Sequence, residues 1–250
     1  MKLALLSDIH SNWFALQACL EHARAQGAQQ FAFLGDFVGY GAQPCAVVDC
    51  IRALVQEGAL AVRGNHEALA LAPPAGTSQV GDLSAQWTHQ QLSPSQRDWL
   101  AGLPLVQQRD AVLLVHASVN SPDRWRYVDN VLAATASLDA ARDWPGVRYV
   151  FGGHVHAQTL YYRGAVGELM PFQPQSGVAI PVPRHRHWLA TVGSVGQPRD
   201  GNPQAMYALL DQNAAQLTFH RVPYDHAAAA AAIRRAGLPD YFAQRLERGQ

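Results

Sequence analysis

Residues 2–12 read KLALLSDIHSN. The run Lys2–Leu6 is apolar and rises into the interior of whatever it belongs to, so it reads as a buried β-strand. It then places Asp8 and His10 two residues apart. Side chains at i and i+2 of a strand point to the same side, so both reach one ion, or two adjacent ions, if the strand geometry continues through His10. An acid and an imidazole ending a core strand pose a question that the rest of the chain answers, because similar endings recur.

Working outward, Asn12 caps a helix through WFALQACLEHARAQ, with Gly27 as its stop. FAFLGD is the next strand. Pro44 opens a second helix through CAVVDCIRALVQE, stopped at Gly58, and LAVRGN follows as a third strand. This βαβαβ order predicts parallel pairing with right-handed crossovers, and hence an α/β fold. Residues 67–104 are helical in pattern, interrupted at APPAGTSQVGD. AVLLVHAS and RYVFGGHVH are two further apolar strands. TLYYR, HWLATVGSV, AMYALLD and QLTFHRV are short and turn-separated, which predicts antiparallel β. PFQPQSGVAIPVPRHRH reads as an irregular, Pro-rich surface loop, and HAAAAAAIRRAG as a terminal helix. With no internal repeat and no linker, the simplest account is a single domain over 1–250. It carries a helical insertion at about 68–104 and a Pro-rich loop at about 170–187.

Composition bounds the function. Lys+Arg and Asp+Glu are both 19, so the formal net charge is zero, which argues against a general electrostatic hold on nucleic acid or anionic membrane. The N-terminus lacks the pattern of a signal peptide, and no apolar run is long enough to span a bilayer. Cys19, Cys45 and Cys50 form no CxxC pair and read as reduced helix-packing thiols, which implies a cytoplasmic location.

Five strand endings carry metal-competent residues: SDIH (Asp8, His10), GDFVGYG (Asp36), GNHE (Asn65, His66), VHAS (His116) and GGHVH (His154, His156). Each alone has an ordinary explanation, such as a cap, a turn or a satisfied buried histidine. Together they hold five of the eleven histidines, in one order along the chain. If the strand assignment holds, all five lie beyond the carboxyl ends of strands, where sites gather in α/β sheets.

The order DxH … GD … GNHE … H … GHxH resembles the calcineurin-like metallophosphoesterases. The wider context, GDFVGYGAQP and VGSVGQPRDGNPQAMYALLD, is similar to their small bacterial and archaeal phosphodiesterase-like branch. The resemblance implies a four-layer α-β-β-α sandwich of two mixed β-sheets. It also implies two divalent metal ions (Mn, Fe, Zn or Ni) that hydrolyse a phosphate ester, most often a phosphodiester or nucleotide, through a metal-bridging water. Residue by residue it implies Asp36 as the bridging ligand. Asp8, His10 and His156 would complete one site, and Asn65, His116 and His154 the other. His66 would be the catalytic residue that faces the phosphoryl group and protonates the leaving oxygen. Arg199 and Ser194, in the glycine-rich turn GSVGQPRDG, are further candidates for binding substrate; Arg199 alternatively pairs with Asp200 or Asp211. Glu67 reads only as a favourable charge at a helix start. Trp87 and Trp99 read as core in preference to substrate-stacking rings, and RHRH at 184–187 as solvated surface in preference to a site.

The implied partner is a small phosphate ester. The alternatives are a phosphomonoesterase, a protein phosphatase, or a non-enzymatic scaffold of the same fold. GDFVGYG lacks the GDxVDRG form of the phosphoprotein phosphatases, and every ligand position keeps a competent side chain, which a degraded scaffold would not.

Overall fold

The computed structural model describes residues 1–76, 79–164 and 167–250. The apolar runs form strands that are buried along their length. β1 (Lys2–Leu6), β2 (Gln30–Phe33) and β3 (Leu60–Ala61) pair in parallel, joined by α1 (Trp13–Ala25) and α2 (Pro44–Gln56). The caps are those expected: the Asn12 side chain accepts from the Ala15 N–H at 3.1 Å, and Pro44 opens α2. After β3 come α3 (Asn65–Leu71), α4 (Val80–Gln91) and α5 (Pro94–Ala101), which fill the expected helical segment. β4 (Val106–Arg109) and β5 (Val112–Val115) form a hairpin. α6 (Val131–Ala140), which the sequence reading did not anticipate, leads to β6 (Tyr149–Gly152).

Then follow β7 (Gln158–Arg163), β8 (Leu169–Phe172), β9 (Ala179–Pro181), β10 (Trp188–Val192), β11 (Ala205–Asp211), β12 (Gln216–Val222), α7 (His226–Arg235) and α8 (Asp240–Arg248). One six-stranded sheet runs β3-β2-β1-β11-β12-β9 and the other β4-β5-β6-β10-β7-β8. Both are mixed. β10 departs from the antiparallel expectation on one side, pairing in parallel with β6 and antiparallel with β7.

The Pro-rich stretch corrects the sequence reading. It is not wholly irregular, because β8 closes the edge of the second sheet and β9 the edge of the first. Both are edge strands, where proline is tolerated because one side of the backbone needs no ladder bond.

Alternation along β1 shows how the layers form. Leu3 and Leu5 point between the sheets, where they meet Val112, Leu114, Phe151 and Ala190 of the second sheet. Ala4 and Leu6 point outward to Leu16, Cys19, Val47 and Ile51 of α1 and α2. On the far side, Leu113, Val150 and Leu189 pack against Ala134 and Leu138 of α6. The result is the α-β-β-α sandwich. Cys19 is buried and Cys45 and Cys50 are part-buried against the same core; all three are free thiols. No helix among the described residues is long and apolar enough to cross a membrane.

Candidate active site

The five endings converge, but not by the geometry the sequence suggested. β1 stops at Leu6 and β6 at Gly152, so neither Asp8/His10 nor His154/His156 lies on a strand. The backbone instead turns left-handed at Asp8 (φ 54°), His10 (φ 48°), Asp36 (φ 53°), His154 (φ 66°) and His156 (φ 58°). A left-handed residue other than glycine costs on the order of 1 kcal/mol, and such strain gathers at functional sites. Backbone bonds between the loops offset it. Asp8 N–H donates to Gly35 O, His10 N–H to Asp36 O, and Gly196 N–H to Asp8 O, at 2.9–3.0 Å. Two glycines make room: a Cβ on Gly64 would collide with Asp36 Oδ1, and one on Gly153 with Ser7 Oγ and Asp8 Oδ2.

The tautomers follow from the outer bonds. His10 Nδ1 faces Val38 O at 3.2 Å, His116 Nδ1 faces Leu34 O at 2.7 Å, and His156 Nδ1 faces Gln197 O at 2.6 Å. A carbonyl only accepts, so each Nδ1 carries a proton, and in the neutral ring each Nε2 presents a lone pair inward. Those lone pairs meet one another. His10 Nε2 lies 3.1 Å from His156 Nε2, and Asp8 Oδ1 is 3.2 Å from the latter and 3.9 Å from the former. His116 Nε2 lies 3.1 Å from Asn65 Oδ1, 3.2 Å from His154 Nδ1 and 3.2 Å from Asp36 Oδ2. Asp36 Oδ2 is also 3.9 Å from His10 Nε2. Its other oxygen, Oδ1, is taken by the His66 backbone N–H at 2.8 Å.

Two acceptor groups, Asp8–His10–His156 and Asp36–His116–His154, therefore sit side by side, each with donor atoms within 4.8 Å of one another, and Asp36 Oδ2 faces both. Converging acceptors with no proton between them repel unless a positive charge is placed among them. Mixed imidazole, carboxylate and amide donors of this kind fit a pair of borderline divalent cations. The protonation tendencies express the same demand for positive charge, which a proton on His116 Nε2 can meet in place of a cation. Burial opposes charging, yet the Asp36 carboxylate pulls the His116 imidazole up to about 9, while His116 and His66 hold Asp36 well below the usual carboxylate range. Burial pushes His154 down to about 4. Against its own burial, Asp8 is held well below the carboxylate range by His156.

His66 is buried at the start of α3. Its ring meets His10 edge-on at a centroid distance of 4.8 Å and Tyr40 at 4.4 Å, and burial lowers its pKa, which favours the neutral imidazole. It forms a third donor group with His10 and Asp36, so it stands against the same cluster.

Glu67, read from sequence only as a helix-start charge, does more. Its fully buried carboxylate accepts from the backbone N–H groups of Asp36 (2.9 Å), Phe37 (2.7 Å), Val38 (3.3 Å) and Gly64 (2.7 Å), binding the Asp36 loop to the His66 loop. Burial and then Asp36 push this carboxyl up to about 7, against the pull of the Gly64 N–H. GNHE held the signal, but one chain position could not show which backbone groups the acid would meet.

The remaining candidates separate. Arg199 is exposed, donates to Gln197 Oε1 at 3.2 Å and lies against the Tyr40 hydroxyl, beside the His10 and His66 rings. Asp200 pairs with Arg221 instead. Ser194 is a correction: it is fully buried, donates to Asp8 O and accepts from Gln197 N–H, both at 2.8 Å, so its hydroxyl supports the Asp8 loop and does not face a substrate. His187 and Arg184 sit at the opposite end of β10 from the Gly193–Arg199 turn, bonded to Arg148 and Gln212 O. Trp87 and Trp99 are packed in hydrophobic clusters, Trp99 against Phe37. Besides Tyr40, the Trp125 and Tyr127 rings flank the site, and both come from a loop that the sequence reading passed over. Trp125 lies 5.9 Å from the His116 ring, and Tyr127 stacks on His154 at 4.1 Å.

The chain is 30% identical over 254 residues to an uncharacterized protein of Methanocaldococcus jannaschii, covering 99% of this chain and 98% of that one. Its structure superposes on a metallophosphoesterase from Sphaerobacter thermophilus with a TM-score of 0.88 at 32% identity, over 100% of this chain and 99% of that one. A hypothetical protein from Pyrococcus horikoshii shares the fold, with a TM-score of 0.79 at 20% identity, over 100% and 98% of the two chains. The family model for the calcineurin-like phosphoesterase superfamily domain matches residues 1–215, a span that contains every residue of the paired donor groups. The donor geometry and this match agree, and the chain belongs to the calcineurin-like phosphoesterase superfamily.

Proposed function

We propose that this protein hydrolyses a phosphate ester at a pair of divalent cations, with phosphodiesters preferred over monoesters. The observation that carries the reading is the pair of acceptor clusters that share Asp36 Oδ2. Asp8, His10, His156 and Asp36 would hold one cation, and Asn65, His116, His154 and Asp36 the other. When bound, the cations neutralise phosphoryl charge and make a water molecule acidic enough to act as nucleophile. The chain's own work is to hold that geometry. The carbonyls of Leu34, Val38 and Gln197 fix the tautomers of His116, His10 and His156. The Glu67 carboxylate holds the Asp36 loop.

As the water oxygen bonds to phosphorus, the bond to the leaving oxygen breaks and that oxygen needs a proton. His66, neighbouring both clusters, is the group to supply it. A neutral His66 in the free protein would take up its proton as the negative ester binds. Arg199, beside Tyr40, is positioned to meet a further anionic oxygen of the substrate. The diester preference rests on the resemblance of GDFVGYG and GSVGQPRDG to the phosphodiesterase-like branch, and the three free thiols fit a cytoplasmic protein.

A panel of mono-, di- and polyphosphate esters with added manganese tests this. Diester hydrolysis that exceeds monoester hydrolysis is the expected result. No hydrolysis of any ester by protein that binds two ions per chain would refute the reading.

A further inference from the structure

The loop after β5 carries its rings to the metal centre at a cost in backbone strain. Ser121 and Trp125 are left-handed, at φ 57° and 51°, and a bulky residue in that region is a genuine outlier. Core packing does not explain it. Trp125 is only part-buried, its ring meets no aromatic partner but His116, and Tyr127 is 52% exposed. Neither the Trp125 indole N–H nor the Tyr127 hydroxyl bonds to another described residue. Between the rings and α3 lies an open cleft of about 440 Å³, lined by Asn65, Ala68, Leu69, Trp125, Tyr127 and His154. It thus has two aromatic walls and an aliphatic floor, and Asn65 and His154 at one end belong to the candidate metal centre. Its size lies in the range of small-molecule sites, roughly 300–1,000 Å³. On the far side of Tyr127, Asn120 and Arg126 line a second hollow of about 270 Å³, which offers polar groups at the rim.

We propose that this cleft binds the base of a nucleoside whose phosphate ester is presented to the metal centre, with Trp125 and Tyr127 as the residues that select it. The inference rests on the hydrolase reading above and adds where the base of a nucleotide substrate would sit and which residues would select it. An aliphatic alcohol would fill an apolar slot equally well with leucines. A part-buried indole, an exposed phenol ring and an adjoining polar rim suit a flat heteroaromatic ring with hydrogen-bonding edges.

The test compares wild type with Trp125→Ala, Tyr127→Ala and the conservative Trp125→Phe. One measurement is the ratio of kcat/KM for a nucleoside phosphodiester to that for glycerophosphodiester. The other, independent of turnover, is calorimetric binding of adenosine monophosphate against glycerol 3-phosphate. Stacking is typically worth about 1–3 kcal/mol per base, so each alanine variant is expected to lower the ratio and weaken nucleotide binding by roughly five- to hundred-fold, with recovery in Trp125→Phe. Equal loss for both substrates, or nucleotide binding that the alanine variants leave unchanged, overturns the cleft assignment. If wild type hydrolyses neither diester yet binds the nucleotide through these rings, the hydrolase reading fails and the cleft survives.

Discussion

Glu67→Gln isolates the one buried carboxylate that serves the site without being placed to bind a cation. The substitution keeps size and shape. One carboxylate oxygen accepts from Phe37 and Val38, the other from Asp36 and Gly64. Glutamine retains a single acceptor oxygen, so one pair of N–H groups keeps a neutral partner and the other faces an NH₂. Two bonds to a charged acceptor, at about 1.5–3 kcal/mol each, put the loss at about 3–6 kcal/mol. For a chain of this size that is a fall in melting temperature of roughly 6–24 °C. The comparison belongs at pH 8.5, above the value of about 7 to which burial and Asp36 raise the group, where the carboxylate is the reference state. Calorimetry or circular dichroism gives the midpoint. Diester hydrolysis, measured well below that midpoint, should also fall, because the freed N–H groups are either those of Phe37 and Val38, the two residues after Asp36, or those of Asp36 itself and Gly64. A shift under about 2 °C with unchanged turnover would refute the claim that Glu67 holds the two loops together.

Three further outcomes are expected. Asp36→Asn replaces one Asp36 oxygen with an NH₂ group and should remove at least one bound ion by metal analysis; hydrolysis should drop by two orders of magnitude or more, and two retained ions with near-normal activity would dismiss Asp36 as the bridge. His66→Ala should lower kcat by about 10²–10⁴-fold, the usual weight of a proton donor, while metal content stays near wild type; loss of metal instead would make His66 a ligand. Chelation should abolish hydrolysis and lower the melting temperature, because the Nε2 lone pairs of His10 and His156 then face each other unshielded, and added manganese should restore both. An unchanged midpoint after complete metal removal would count against any contribution of the ions to folding.

The paired donor groups were legible because each follows an apolar run whose strand identity is strong, and the topology gathers strand ends. The condition on which strand geometry would align them is not met. Side-chain alternation would align them only if the strands continued through His10 and His156, whereas the chain leaves the strand at Leu6 and Gly152 and turns left-handed at Asp8, His10, His154 and His156. Dihedrals of that kind arise from cross-loop bonds such as His10 N–H to Asp36 O, which no local window contains. Ser194 was misplaced for a related reason: a serine in a glycine-rich turn looks exposed until Asp8 O and Gln197 N–H claim it. Trp125 and Tyr127 escaped notice because residues 118–130 lack periodicity, and a ring's distance from His116 or His154 is a tertiary fact. β8 and β9 were hidden by proline, which edge strands tolerate and central strands do not. α8 lay beyond the alanine-rich helix, where DYFAQRLER buries Phe242, Ala243 and Leu246 against α7 and Tyr40.

The left-handed donor residues also restrict how the site can change by mutation. Asparagine, aspartate and histidine enter that backbone region several-fold more readily than most residues, and β-branched side chains are the most disfavoured. Five positions of the donor clusters, Asp8, His10, Asp36, His154 and His156, therefore draw on a short alphabet that the main chain imposes before any cation is considered. Asn65 and His116, whose φ is not positive, are free of that restriction. Variation in the donor set has its widest scope there, in the half of the cluster beside the aromatic cleft.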